Sequence, residues 1–324
     1  MADTATAKFN IISPHSSPLS YPSDHFMTTR IRGVGLALAG AALWGLSGTV
    51  SSLLFRGYDM PFTTLVSLRM LIAGIIALAI VRPAFPGKSR GYFLIFATAG
   101  LFGVQITYLA TIDYSNAPTA TLLQYLFFPM VMGYEVLRGR IRGGYAIIAS
   151  IILAMLGTFE LSTGFPGHAA SIILRPLALL FGILSAITAA LYTLLSAPLI
   201  RENGTSPVIA WAFLIGGVLS IPFSFSQSMA FFPHMSEGSL PVVFALVLFV
   251  AIVGTLVAFG LYIMSMHEIS PTQASLAGTM EPITAAISSA AILGIYLSGY
   301  QYLGGFLIVM AIVVAQAFSA GNMK

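Results

Sequence analysis

The sequence predicts an all-α polytopic membrane protein, with ten spanning helices arranged as two inverted five-helix repeats and both termini in the cytoplasm. Three observations carry this. Of the 324 residues, 57% are hydrophobic and only 7% are charged. Apolar stretches of about twenty residues, long enough to cross a bilayer as a helix, recur along the chain. A proline-bearing segment that begins near residue 117 returns 153 positions later. A soluble domain carries about 25% charged residues, and a water-exposed surface cannot be built from so few. The main solvent of this chain is therefore lipid.

Residues 1–29 are mostly polar, with Pro14, Pro18 and Pro22 among serines and histidines. They lack the short apolar core and cleavage site of a secretion signal, so they read as a disordered cytoplasmic tail. The spans then follow at 33–54, 62–82, 91–112, 117–136 and 143–161, and again at 176–200, 206–227, 240–266, 272–294 and 299–319. The first repeat occupies 30–162 and the second 163–324. The fourth span is the least regular, because Pro118 and Pro129 interrupt it.

Basic residues orient the chain. With the N-terminus inside, the inner segments hold Lys8, Arg30, Arg32, Arg82, Lys88, Arg90, Arg138, Arg140, Arg142, Arg201 and Lys324, which is 11 of the 14. The outer loops hold Arg56 and Arg175, and Arg69 falls inside a span.

The repeat is local but specific. Residues 117–130 read APTATLLQYLFFPM and residues 270–283 read SPTQASLAGTMEPI, so Pro118 aligns with Pro271 and Pro129 with Pro282. A Gly-Gly pair opens a later span in each half, Gly143-Gly144 and Gly304-Gly305. Pro129 and Pro282 are the expected kinks, because each removes a backbone hydrogen bond. A membrane helix tolerates this where its backbone faces other helices or a cavity. Since five is odd, the second copy enters the membrane from the opposite side, and inverted repeats commonly hold a substrate at their interface.

Few polar residues lie inside spans. Trp44, Ser47 and Ser51 share one face of the first span, beside Gly45 and Gly48. Gln105, Tyr108 and Thr111 share a face of the third span, and Ser185, Thr188, Tyr192 and Ser196 a face of the sixth. Thr121, Gln124, Tyr125 and Phe128 form a broad face beside Pro129, and Gly278 and Glu281 add to it from the ninth. These faces can line a half-polar, half-aromatic cavity suited to an amphipathic solute. They can equally serve as interhelical packing and hydrogen bonds, worth about 0.6 kcal/mol each.

Glu281 is the sharpest signal, because a carboxylate in a span faces a cavity or a partner. It can bind an ammonium or a proton, or it can bond backbone amides beside Pro282. Arg69 is the other clearly intramembrane ionisable group, so a proton relay has few members and transport should be facilitated or weakly coupled.

Several chemistries are disfavoured. The chain has no cysteine. Gly45-Leu46-Ser47-Gly48 matches a GxSG nucleophile pattern, but a serine nucleophile needs a base within reach, and His267 sits at a span end. No P-loop or paired-histidine metal motif is present, and no filter motif or charged ring of a channel. No catalytic residue, metal, cofactor or nucleic-acid partner is expected.

The five-plus-five layout, the Glu281-Pro282 pair, the proline-bearing fourth span and the stretch LWGLSGTVSS in the first resemble the drug/metabolite transporter superfamily, in its EamA-type ten-helix branch. Within it the chain is most similar to YddG-type exporters of aromatic and other amino acids. The resemblance covers nearly all of 33–319. It implies a central cavity bounded mainly by spans 1, 3, 4, 6, 8 and 9. One departure stands out: the fourth span has Phe128-Pro129 where the ninth has Glu281-Pro282, so a symmetric carboxylate pair is absent. The expected function is a secondary carrier that exports neutral and aromatic amino acids across a bacterial inner membrane by alternating access, and a monomer suffices for it. The rivals are an exporter of drugs or other metabolites and, from another class, a membrane-embedded enzyme.

Overall fold

The computed structural model describes residues 23–139, 145–163, 175–265, 268–269 and 277–322. Among them every regular element is helical and no strand occurs. The helices are α1 (Ser23–Gly57), α2 (Phe62–Val81), α3 (Arg90–Tyr114), α4 (Ala117–Gln124), α5 (Phe127–Leu137) and α6 (Tyr145–Thr163). They continue with α7 (Pro176–Asn203), α8 (Thr205–Phe231), α9 (Leu240–Ser265), α10 (Met280–Leu293) and α11 (Gly299–Asn322). Six of them, α1, α2, α3, α7, α8 and α9, are long and apolar enough to cross a membrane. Shorter apolar helices run over Ile148–Gly157, inside α6, and over Met280–Leu293. The chain is thus a multi-pass membrane protein.

Local chemistry sets the ends. Pro61 precedes α2 in an extended conformation, and Arg82 closes it in the left-handed region, its N–H bonded to the Leu78 carbonyl. Pro83 follows, and the residue before a proline is pushed out of the helical region. α1 begins at Ser23, inside the stretch read from the sequence as tail. Residues 1–22 lie outside the described residues, as do Gly143, Gly144, His267, Pro271 and Lys324.

The fourth segment departs from one continuous span. It is two helices, α4 and α5, separated at Tyr125 and Leu126. Pro118 does not interrupt it. It sits in the first turn of α4, where the absent N–H leaves nothing unpaired, and Asn116 caps that turn by accepting from the Thr119 N–H at 2.9 Å. The break comes from Pro129, which cannot donate to the Tyr125 carbonyl four residues back. The Phe128 N–H takes that carbonyl instead, at 3.1 Å, tightening the chain by one residue.

Two π-helical segments interrupt the α-geometry, Phe96–Phe102 in α3 and Phe249–Val257 in α9. They begin 153 residues apart, the same offset as the proline pairs. Such bulges are costly and concentrate at functional positions.

The main helix pairs are α6 with α11, α2 with α8, α1 with α10, α3 with α7, and α1 with α9. α2 and α8 run antiparallel. Thr64 meets Ser228 at 2.9 Å, Ser67 meets Ser224 at 2.6 Å and Ser220 at 2.7 Å. Further along, Gly217 lies against Leu71 and Gly74 against Leu214, where a Cβ would stand 2.8 and 2.6 Å from backbone nitrogens. Small residues bring these two backbones together, as membrane interfaces require. The largest buried cluster includes Leu54, Met70, Phe93, Phe96, Leu109, Phe213 and Val250. Outward-facing Ile75, Ile80, Phe225, Ile287 and Phe306 are exposed, a distribution that suits a lipid solvent.

Candidate functional site

One stretch of α1, residues 44–49, touches several other helices. Trp44 packs against Phe259 and Tyr262 of α9, each ring centroid 4.9 Å away. Gly45 lies on the α10 backbone, with a Cβ there only 2.8 Å from the Ala285 nitrogen. Ser47 abuts Gly254 of α9, and Gly48 faces the Tyr108 hydroxyl. Thr49 bonds Ser288 at 2.6 Å and Ser289 at 3.0 Å. The Gly- and Ser-rich sequence of α1 is what lets so many neighbours approach one turn.

The two proline breaks meet beside it. Pro282 cannot donate to the Gly278 carbonyl, so that oxygen is left without its helical partner. The Tyr125 hydroxyl lies 2.6 Å from it and 3.1 Å from Glu281 Oε2. Tyr125 stands in the gap that Pro129 opens, so the kink of one segment caps the kink of the other. Tyr125 and Glu281 are both buried.

The remaining groups form short pairs across helices. Tyr108 of α3 and Thr121 of α4 are 3.0 Å apart. Gln124 donates to Ser185 of α7 at 3.0 Å, and Thr107 lies 3.3 Å from Thr188. Tyr192 stacks on Phe96 at 5.2 Å, and Phe128 packs 5.5 Å from Tyr125. Gln105 is buried in α3.

Of the residues read from the sequence, Tyr125, Gly278 and Glu281 form one hydrogen-bonded group, and Tyr108 with Thr121 and Gln124 with Ser185 form pairs. Others turn inward on their own helix. Ser51 donates to the Ser47 carbonyl, Thr111 to that of Thr107 and Ser196 to that of Thr193. Ser47 Oγ and Trp44 Nε1 are buried without a hydrogen-bond partner among the described residues.

Arg69, which is not among the residues expected to line the cavity, joins this region. Its Nε donates to Thr255 Oγ1 at 2.7 Å. Tyr262 and Phe259 also join it, as the Trp44 partners. Arg69 was legible as an ionisable residue inside a span. For Phe259 and Tyr262 the only signal was an aromatic spacing indistinguishable from lipid-facing packing.

A cleft of about 670 Å3 opens between α4, α10 and α11, lined by Pro118, Leu122, Pro282, Ile287, Tyr302 and Phe306 among others. Its walls are apolar, and Pro282 places it next to Glu281.

Known proteins share this organisation. The profile described as the EamA-like transporter family matches twice, over residues 31–163 and 176–316. The uncharacterized inner membrane transporter YicL of Salmonella typhimurium is 32% identical over 291 residues, which span 87% of this chain and 94% of that protein. One solved crystal structure, 19% identical, aligns with a TM-score of 0.58 over 90% of this chain and 99% of its own. At that identity the likeness concerns the fold alone.

Proposed function

The chain belongs to the EamA-like transporter family, and we propose that it is a secondary carrier that exports neutral and aromatic amino acids from the bacterial cytoplasm by alternating access. In this reading ten segments cross the inner membrane as two inverted repeats, with α4 and α5 together forming the fourth crossing and both termini inside. The antiparallel packing of α2 on α8, the π segments 153 residues apart and the twofold match of the family profile support the inverted arrangement.

The observation that carries the transport reading is the junction of the two kinks. Tyr125 holds both the carbonyl freed by Pro282 and the Glu281 carboxylate. Helices broken in mid-membrane present unpaired backbone and polar side chains to a solute. A site that closes on its own hydroxyl, carbonyl and carboxylate can open by exchanging those bonds for bonds to substrate. The surroundings combine rings (Trp44, Tyr108, Tyr125, Tyr262) with hydroxyls and amides. Rings pack against an apolar side chain, while the polar groups meet an ammonium or a carboxylate. Glu281 and Arg69 are the charged residues fully inside this region among those described. That balance of signs suits a zwitterion better than a polyanion.

Counterflow of labelled solutes in proteoliposomes tests this. Phenylalanine, tyrosine and tryptophan should exchange, together with several aliphatic and polar amino acids. Trp44→Ala and Tyr108→Ala should lower exchange more than they lower folded yield. A panel in which amino acids fail while hydrophobic cations or nucleosides move would overturn the substrate class and leave the carrier standing. The apolar cleft beside Pro282 favours that second reading, an exporter of drugs or other hydrophobic metabolites that enter from the bilayer.

A further inference from the structure

We propose that Arg69 is the carboxylate-binding residue of the transport site, opposite Glu281, which takes the substrate ammonium. The assignment rests on the carrier reading above and gives its substrate class a chemical basis.

Arg69 lies within α2 and is 5% exposed. Its Nε donates to Thr255 Oγ1 at 2.7 Å, and the Thr255 hydroxyl donates in turn to the Val250 carbonyl at 2.9 Å. That bond spans five residues and lies inside the π segment of α9. The π geometry thus commits the threonine proton to its own helix and leaves the oxygen as an acceptor for Arg69. One edge of the guanidinium is held in place.

Among the described residues the other edge has no partner. A guanidinium has five N–H donors in a planar fork. Among the described residues the two terminal nitrogens make no hydrogen bond. The ion pair seen among those residues joins Arg32 to Glu268, not Arg69 to any carboxylate. An intramembrane cation with a fixed Nε and a free fork is built for a planar anion, because the fork matches a carboxylate in two parallel hydrogen bonds. A purely structural arginine would spend those donors on backbone carbonyls or on a side-chain partner.

The surroundings match. Arg69 lies within electrostatic reach of Tyr108 and Glu281 without pairing to the carboxylate. The two groups of opposite sign are therefore near each other without forming an ion pair. Beside Thr255 is Gly254, against which Ser47 packs. Among the described residues Ser47 Oγ is buried and unpartnered, and so is Trp44 Nε1 one turn away. Two orphan polar atoms thus sit on the α1 turn that packs against α9, whose Thr255 accepts the Arg69 hydrogen bond. An α-amino acid carries its ammonium and carboxylate on one carbon, and it can bridge Glu281 and Arg69 with one charge facing each.

The test is a discrimination measurement in proteoliposomes. Labelled phenylalanine is exchanged against unlabelled phenylalanine, phenylalaninamide (carboxylate capped) or phenethylamine (carboxylate absent). Wild type should take phenylalanine at least about tenfold better than either analogue. Arg69→Gln should weaken phenylalanine about ten- to a hundredfold and leave the analogues unchanged, so that discrimination collapses. Arg69→Lys keeps the charge and loses the fork. It should give an intermediate ratio, and it serves if Arg69→Gln does not fold. A ratio unchanged in Arg69→Lys, or a wild type that accepts the amide as readily as the acid, overturns the assignment. If wild type exchanges amino acids with the ratio intact in the variants, this inference alone falls. If wild type exchanges none, the substrate reading falls with it.

Discussion

Replacing Gly45 by alanine tests whether the α1–α10 contact positions the site. The added Cβ would stand 2.8 Å from the Ala285 nitrogen and 3.0 Å from the Thr284 Cβ. Ordinary contact begins at 3.4 Å, and the Glu281 carbonyl oxygen lies nearer than the Ala285 nitrogen, so the helices must separate by more than about 0.6 Å, since both obstacles are backbone and cannot rotate away. The same shift would stretch the Thr49 bonds to Ser288 and Ser289 from 2.6 and 3.0 Å. Overpacking costs about 1–3 kcal/mol, and a weakened interhelical hydrogen bond adds about 0.6 kcal/mol. Gly260→Ala is the control, because nothing lies within 4 Å of its Cβ. Both substitutions gain the same helix propensity, about 1 kcal/mol at most, so it cancels in the comparison. Gly45→Ala should be less stable than Gly260→Ala by about 2–4 kcal/mol. The readout is the monodisperse fraction left after stepwise heating in detergent, followed by size-exclusion chromatography. Counterflow should fall as well at temperatures where the variant is folded, because α10 carries Glu281. If Gly45→Ala survives heating as well as Gly260→Ala, the contact does not constrain the helices and the reasoning is refuted.

Three other expectations follow from particular residues. Reporter fusions after Gly87, Gly139 and Lys324 should read cytoplasmic and those near Asp59, Asn116 and Gly238 periplasmic, from 11 inner against 2 outer loop-borne basic residues; a periplasmic signal at Lys324 would mean a miscounted span. Tyr125→Phe removes the donor to both the Gly278 carbonyl and Glu281; it should cost about 1–3 kcal/mol of stability and slow counterflow, and a variant matching wild type in both would show that the junction is not held by that hydroxyl. An imposed pH gradient should stimulate uptake only weakly, because Glu281 and Arg69 are a poor inventory for a relay; strong stimulation abolished by Glu281→Gln would contradict this.

The kinks show how far sequence reasoning reached. Pro129 and Pro282 were legible as breaks, because proline removes a donor wherever it stands. Pro118 looked like a third, yet at the first turn of α4 it removes nothing. Only the position of the helix start, set by the Asn116 cap, separates the two cases. Similarly, Ser47 and Ser51 shared a face on paper, but Ser51 bonds its own helix and Ser47 packs against Gly254.

By itself the sequence determined the solvent, the helical class and the family. Seven per cent charge cannot clothe a soluble surface, apolar runs of that length must pair their backbone internally, and the paired proline segments mark two related halves. Only the tertiary structure decided which polar atoms meet. It brought Tyr125 to the carbonyl that Pro282 frees, set Arg69 on Thr255 with its fork unpaired among the described residues, and put Trp44 against Phe259 and Tyr262. The reason is physical. In water a helix declares its inner face by the contrast between apolar and polar residues. In lipid nearly every face is apolar, so the spacing of residues says which side chains share a face but not which neighbour that face will find.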